Sequence, residues 1–293
     1  MPAPLRRFVD LHTHTTASDG CLTPEELLAL ADRELLAAVA ITDHDTVDAL
    51  APARAAAVRY PDLTFIPGVE VSARPPSGTL HILGLDIDEQ TASLAALAGE
   101  LRGARAQRNE KIVAKLQALG IDIDMNDVRA AAERPAVGEE SEVLSRVHIA
   151  EAMRRKGRVR TLDEAFDRYI AKGRPAYADR ERPTAADAVA AIHEAGGLAA
   201  LAHPIQLRYG NRLQLERILR DLIHAGLNGI EVYHSDHTPQ QTRLYLDLAR
   251  RYELTVVGGS DFHGPNKPDV HLGIPRVPLA AITGQFAQRL RRR

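Results

Sequence analysis

The chain has 293 residues, of which 45 % are hydrophobic and 26 % charged, enough to bury a large core as one α/β domain or as one domain carrying an insertion. A formal net charge of −2, an isoelectric point near 6.6, 4 % aromatic residues and no tryptophan leave neither a global pull on polyanions nor much stacking surface, so no stable nucleic-acid complex is expected. No apolar run reaches membrane-spanning length, Met1-Pro2-Ala3-Pro4-Leu5-Arg6-Arg7 lacks the apolar core of a secretory signal, and the single Cys21 excludes an internal disulfide; the expectation is a cytoplasmic protein with no membrane partner.

The stretch Val9-Asp10-Leu11-His12-Thr13-His14-Thr15-Thr16-Ala17-Ser18-Asp19-Gly20 begins as a strand and ends in a turn. Side chains alternate across a strand, so His12 and His14 point to one face and can grip one ion, with Asp19 close behind. Cys21 borders the turn, but nothing marks it as an activated thiolate and no nucleophilic role is assigned to it. Thr23-Pro24-Glu25-Glu26 supplies an N-cap, a first-turn proline and a capping-box glutamate for a helix over 25–34. The apolar run 36–41 closes on Thr42-Asp43-His44-Asp45, the pattern of a strand buried on both faces with its chemistry at the C-terminal end. A second helix over 47–60 leads to a strand over 63–72. The turn Pro75-Pro76-Ser77-Gly78 then returns the chain as a strand over 79–86, placing Glu70 and His81 face to face across a hairpin.

From about Thr91 to Pro183 the chain is helical, strongly charged and nearly free of strand signals. It reads as an inserted helical domain, 91–183, between the two parts of an α/β domain, 1–90 and 184–293. A helix over 91–119 carries Arg102, Arg105, Arg108 and Lys111 at spacings of three, along one side. Most basic stripes are solvated faces; Arg102, Arg108, Arg134, Lys172 and Arg174 are kept as candidates for binding a phosphate, the last two in a Lys-Gly-Arg-Pro loop.

The α/β pattern resumes with a helix start at Thr184-Ala185-Ala186-Asp187 and a strand over 197–202 ending at His203. A strand over 227–233 ends at His234, and one over 254–259 ends at Asp261 and His263. Seven strands, most followed by helices, with polar residues collected at strand ends, describe a distorted seven-stranded (β/α) barrel whose site lies at the C-terminal rim. His12, His14, Asp19, His44, Glu70, His81, His203, Asp261 and His263 fall at or just beyond strand ends, and all are nitrogen or oxygen ligands for Mn²⁺, Zn²⁺ or Fe²⁺. His234 and His237 lie near them without ligand spacing and are candidates for substrate binding. His193, His224 and His271 read as surface or capping histidines, and His148 is intermediate.

These motifs resemble the PHP (polymerase and histidinol phosphatase) family of metal-dependent phosphoesterases. His12-Thr13-His14 resembles its first motif, Thr42-Asp43-His44-Asp45 its second, His203 its third and Asp261-Phe262-His263 its fourth. The resemblance implies three divalent ions, with Mn²⁺ the first choice. His12, His14, Glu70 and Asp261 would hold one, Glu70, His81 and His203 a second, and Asp19, His44 and His263 the third. It assigns Asp19, His44, Glu70 and His263 to catalysis. The helical insertion resembles that of the TrpH/YciV-like branch, which implies a small nucleotide substrate, a 3′,5′-nucleotide bisphosphate losing its 3′-phosphate. The alternatives are 5′-to-3′ trimming of short 5′-phosphorylated oligoribonucleotides and, in a different class, a non-catalytic metal-stabilised interaction domain. No pattern sets an oligomeric state.

Overall fold

The apolar runs of the sequence become strands because each has two faces to bury, one toward a barrel interior and one under a helix. The computed structural model describes residues 6–132 and 143–290. Its strands are β1 (Phe8–Asp10), β2 (Leu36–Ile41), β3 (Thr64–Ala73), β4 (Leu80–Leu85), β5 (Leu198–Leu201), β6 (Gly229–Tyr233), β7 (Thr255–Gly258) and β8 (Val277–Pro278). They form one sheet in the order β7-β6-β5-β4-β3-β2-β1-β8. Beyond the ends of β1 and β7 the sheet nearly closes on itself. Leu11 N–H donates to Gly258 O, Asp261 N–H to His12 O and His14 N–H to Phe262 O, at 3.1, 2.9 and 2.9 Å. Alternate residues such as Ala38 and Ala40, Leu83 and Leu85, and Leu198 and Ala200 fill the interior with Val9, Leu11 and Ile66.

Two features differ from the expected seven-stranded barrel. The sheet has eight strands: the two-residue β8 pairs antiparallel with Phe8 and Val9 of β1, and so short a segment, ended by a proline, leaves no periodicity to read. The strands are also not uniformly parallel: β4 runs antiparallel to β3, as the expected hairpin requires, and to β5 as well. The tight turn before β4 imposes this. Gly78 adopts φ +56°, and a Cβ there would lie 2.2 Å from Gln206 O, so the turn needs glycine both for its backbone and for its clearance. His81 therefore reaches the rim from the start of its strand, not from its C-terminal end.

Helices follow the strands with the predicted caps. Pro24–Arg33, Ala185–Glu194 and Pro239–Arg251 each begin with a reciprocal capping box, from Thr23 and Glu26, Thr184 and Asp187, and Thr238 and Gln241. Among the described residues no helix is long and apolar enough to cross a membrane.

The chain separates into two compact units, Met1–Ala98 with Pro183–Arg293, and Gly99–Arg182. The second unit is built from most of the helix Ala92–Ala118 together with Met125–Ala131, Arg146–Arg155 and Leu162–Ala165. They close over their own core of Ile112, Leu116, Val128, Ile149, Met153 and Ile170. His148 belongs to this frame, since its Nδ1 accepts the Ser145 N–H at the start of its own helix.

Candidate metal centre

Buried hydrogen bonds hold the loop after β1 rigid. Thr13 Oγ1 donates to Ala40 O at 2.6 Å, Thr15 N–H and Oγ1 donate to the Asp43 carboxylate at 2.8 and 2.6 Å, and Ser18 Oγ donates to the same group at 2.5 Å. Gly20 closes the loop, and a Cβ there would stand 2.3 Å from His14 O. Asp10 ties β1 to the end of β7 by accepting from Ser260 N–H, Ser260 Oγ and Gly273 N–H at 2.9, 2.6 and 2.8 Å. A carboxylate with that many donors stays fixed although buried.

On this frame all nine sequence-identified residues converge, with Glu70 at their centre. Its Oε2 lies 3.3 Å from His12 Nε2, 3.3 Å from His14 Nε2 and 2.8 Å from His44 Nδ1. Its Oε1 lies 2.7 Å from His81 Nδ1 and 2.8 Å from His203 Nε2. Asp261 Oδ1 approaches His14 Nε2 at 3.1 Å and His12 Nε2 at 3.5 Å, and Asp19 Oδ1 approaches His263 Nε2 at 3.3 Å and His44 Nε2 at 3.9 Å. The hairpin brings Glu70 and His81 together diagonally, because His81 stands opposite Ser72 and Glu70 opposite Leu83; residues two apart on one face still touch.

Three sets of these ligand atoms are compact enough to share a cation: His12, His14, Glu70 and Asp261; His14, Asp19, His44 and His263; and His44, Glu70 and His81. His203 Nε2 joins the last through His81 Nδ1, 3.3 Å away. The donor set fits a metal. His12 Nε2, His14 Nε2, Asp19 Oδ1, His44 Nδ1 and Glu70 Oε2 are buried close together yet lack hydrogen-bond partners, and divalent cations satisfy such imidazole and carboxylate lone pairs.

Several residues that complete the site escaped the sequence reading. Glu231, fully buried on β6, accepts from His12 Nδ1–H at 3.1 Å and from His203 N–H at 2.7 Å, which leaves the Nε2 lone pair of His12 facing inward. His263 is set the same way, donating Nδ1–H to Asp261 O at 2.8 Å. Lys267 Nζ lies 2.6 Å from Asp261 Oδ2, and Asn266 donates to Asp19 O at 2.9 Å. For Asp10 and Glu231 a signal existed, a lone acid inside the apolar runs Val9-Asp10-Leu11 and Ile230-Glu231-Val232. Backbone strain concentrates here as well. His203, Asp261 and Asp45 adopt φ of 23°, 58° and 59°, values an L-residue holds only when its surroundings enforce them.

The electrostatics are those of a cation site filled by protons. Burial opposes charge on His14, but hydrogen bonds and attraction from Asp261 and Glu70 carry its pKa up to about 9. His12 is likewise raised against its burial by Glu231, Glu70 and Asp261. Burial prevails at His81, whose pKa falls to about 4 despite Glu70. The surrounding histidines more than offset burial for Glu70, hold Asp19 and, with Lys267, Asp261 well below the carboxylate range, and bring Glu231 to about 2.

The helical unit carries charge of the opposite sign. Arg105 and Arg108, on the helix Ala92–Ala118, are only 5 % and 6 % exposed. Burial and repulsion from Arg105, Arg180, Arg146 and Arg182 push the Arg108 pKa well below the usual arginine value. Arg108 donates to the neutral Asn109 side chain at 2.8 Å, and Arg182 pairs with Asp179 at 2.8 Å. Of the other candidates, Arg102 is half-buried while Lys172 and Arg174 are exposed; Arg134 lies outside the described residues. His234 and His237 belong to the other unit, beside the ligand cluster, with ring centroids 5.1 Å apart. His193 bonds the Gly197 and Gly226 carbonyls, as a structural histidine.

Comparison with known proteins gives the same picture. The model of the PHP domain matches residues 10–124. The chain is 36 % identical to the 3′,5′-nucleoside bisphosphate phosphatase of Chromobacterium violaceum over 88 % of each chain. It is 34 % identical to the 5′-3′ exoribonuclease Rnm of Escherichia coli over 90 % of this chain and 87 % of that one. It also superposes with a TM-score of 0.79 on the solved structure of an amidohydrolase from Chromobacterium violaceum with bound sulfate and no metal; the two are 35 % identical, and the match covers 94 % of this chain and 97 % of the other.

Proposed function

The chain belongs to the PHP domain family and is a metal-dependent phosphoesterase, and from that premise we propose that it removes the 3′-phosphate of 3′,5′-nucleotide bisphosphates such as adenosine 3′,5′-bisphosphate, leaving a 5′-nucleotide, in the cytoplasm. The observation that carries this reading is the convergence of eight imidazole and carboxylate ligands around Glu70, with His12 Nε2, His14 Nε2, Asp19 Oδ1, His44 Nδ1 and Glu70 Oε2 all buried and without hydrogen-bond partners. Three divalent ions, Mn²⁺ before Zn²⁺ or Fe²⁺, would be held by His12, His14, Glu70 and Asp261, by Glu70, His81 and His203, and by Asp19, His44 and His263. Bound there, such ions lower the pKa of water to near neutrality and neutralise the charge of a phosphoryl group.

The protein's own contribution is to fix and tune these ligands. Glu70 offers Oε2 to His12, His14 and His44 and Oε1 to His81 and His203, so it would serve as a ligand on both sides of the cluster. Glu231 keeps the proton of His12 on Nδ1, and Asp261 O keeps that of His263 on Nδ1, so both rings present Nε2. Asp19, His44, Glu70 and His263 are the residues assigned to catalysis in this scheme. Lys267, beside Asp261, adds a fixed positive charge that favours an anionic substrate.

Substrate recognition is assigned to the insertion 91–183. Within it Arg108, among its arginine neighbours, is the choice for the distal 5′-phosphate, since a guanidinium holds two phosphate oxygens in a fork and gains most when already desolvated. Arg102, Lys172 and Arg174 rank below it because of their greater exposure. His237, whose ring packs on that of His234, is kept as a further candidate for substrate binding. The exoribonuclease likeness supports a second reading, in which short 5′-phosphorylated RNA is shortened from its 5′ end. Incubating the Mn²⁺-loaded protein with adenosine 3′,5′-bisphosphate and with 5′-phosphorylated trinucleotides, with products resolved by chromatography, separates the two. Release of phosphate and adenosine 5′-monophosphate from the bisphosphate at the higher kcat/KM is expected. Faster release of mononucleotides from RNA would reverse the assignment, and no turnover of either would leave only the interaction-domain alternative.

A further inference from the structure

His234 follows β6 directly, and its side chain is completely buried. The backbone N–H of Asp236 donates to its Nδ1 at 3.0 Å. A ring nitrogen that accepts a hydrogen bond holds a lone pair, so the hydrogen of the neutral imidazole sits on Nε2. That Nε2–H has no hydrogen-bond partner. The carboxylate oxygen Asp261 Oδ2 is 3.6 Å away and already holds the Lys267 ammonium at 2.6 Å.

Position and chemistry together narrow the use of this group. The ring lies 5.9 Å from His12 and 5.5 Å from His203, centroid to centroid. It thus borders the two sets of ligands that share Glu70. A nitrogen carrying hydrogen has no lone pair to give a metal, so His234 does not extend the ligand set although His12, Glu231 and His234 stand close enough to suggest one. A buried donor left unmade is destabilising, and its persistence calls for an acceptor that arrives from outside. Beside cations that gather phosphoryl oxygens, that acceptor is a phosphoryl oxygen.

We propose that His234 donates its Nε2–H to a non-bridging oxygen of the phosphoryl group undergoing hydrolysis, holding it in place through the reaction and in the phosphate product. This deepens the phosphoesterase assignment and rests on it for the site being used. The partners of the ring assign the nitrogens without reference to titration, because the Asp236 N–H occupies the space a second hydrogen would need.

Two substitutions separate the functions of the nitrogens. His234→Asn keeps an acceptor near Nδ1 and lacks a donor at the Nε2 position; His234→Gln reaches the Nε2 position with an amide N–H. Binding of inorganic phosphate to the metal-loaded proteins, followed by calorimetry alongside metal content, is expected to weaken about tenfold to a hundredfold in His234→Asn at unchanged metal stoichiometry, and to return to within about threefold of wild type in His234→Gln. Equal phosphate affinity in His234→Asn, or loss of an ion from it, overturns the proposal. Should the variants fail to fold, the wild-type protein decides. In the zinc-loaded, ¹⁵N-histidine-labelled protein a protonated Nε2 with an unprotonated Nδ1, its Nε2–H resonance moving on addition of phosphate, is expected, and the opposite tautomer refutes it. Phosphate held through His234 in a protein that cleaves neither bisphosphate nor RNA would sink the substrate assignment and leave this one standing.

Discussion

The rim of the barrel and the helical unit Gly99–Arg182 solve opposite electrostatic problems with the same device, burial of like-natured groups close together. At the rim, carboxylates and imidazoles crowd until their lone pairs point at one another; in the helical unit, Arg105 and Arg108 are buried among further guanidinium groups. At the rim the carboxylates and protonated imidazoles attract one another, whereas around Arg108 the neighbouring guanidinium groups repel. The rim is complementary to cations that would displace its protons, and Arg108, which donates to the neutral Asn109, to an anion. A buried polar atom left unmatched is thus a stronger mark of a ligand than any number of exposed charges.

The largest effect expected is at the rim. Asp261→Asn removes the carboxylate shared by His12, His14 and Lys267 while asparagine tolerates the left-handed φ of 58°. Turnover should fall by about a thousandfold or more, with metal content reduced and the melting temperature of the metal-free protein nearly unchanged, a pattern that unfolding would not produce. Glu231→Gln touches only the partner of a ligand, so it should cost about ten- to a hundredfold in metal affinity, read by competition with a chelator. Arg108→Met carries the contrast to the helical unit. About a ten- to a hundredfold loss of kcat/KM for the bisphosphate is expected, with an unaltered rate on a simple aryl phosphate. Stability should not fall, because a repelled buried charge is replaced by an apolar chain of similar length.

Protons give a third handle on the rim. With its pKa near 9, His14 is charged in the metal-free site at neutral pH, so a cation must expel a proton to bind. Metal affinity should rise with pH, by about tenfold per unit for each proton displaced, until pH passes about 9. Calorimetry in buffers of different ionisation enthalpy reads the released protons directly, and finding none would mean His14 is not displaced by metal. The smallest effect belongs to Cys21→Ser, where kcat should stay within about twofold, since metal-activated water needs no thiolate.

Legibility in the sequence followed locality. The His12–His14 pair, the polar ends of β2 and β7 and the capping boxes are set by neighbours a few residues apart, where strand and helix periods apply. The hairpin that carries His81 was legible in its Pro-Pro-Ser-Gly turn, but the antiparallel pairing of β4 with β5 was not, and the turn itself packs against residues more than a hundred positions later. Glu231 serves His12 across a separation of 219 residues, and no spacing rule announces such a contact. The buried arginines were visible as a stripe, but which of them turn inward depends on the packing of the helical unit: Arg105 and Arg108 are buried while Lys111 on the same stripe is exposed.

The stitching of the end of β1 to the end of β7 also sets a schedule. Asp10 receives Ser260 across 250 residues, and His12 accepts from the Asp261 backbone. A ribosome making this chain produces the His-x-His pair almost at once, yet has to translate through His263 before that pair meets its last carboxylate. Until then the early histidines have only part of their coordination sphere. The finished enzyme can capture its ions in full only after nearly all of its sequence has been synthesised, which makes cation loading a late event and ties it to completion of the fold.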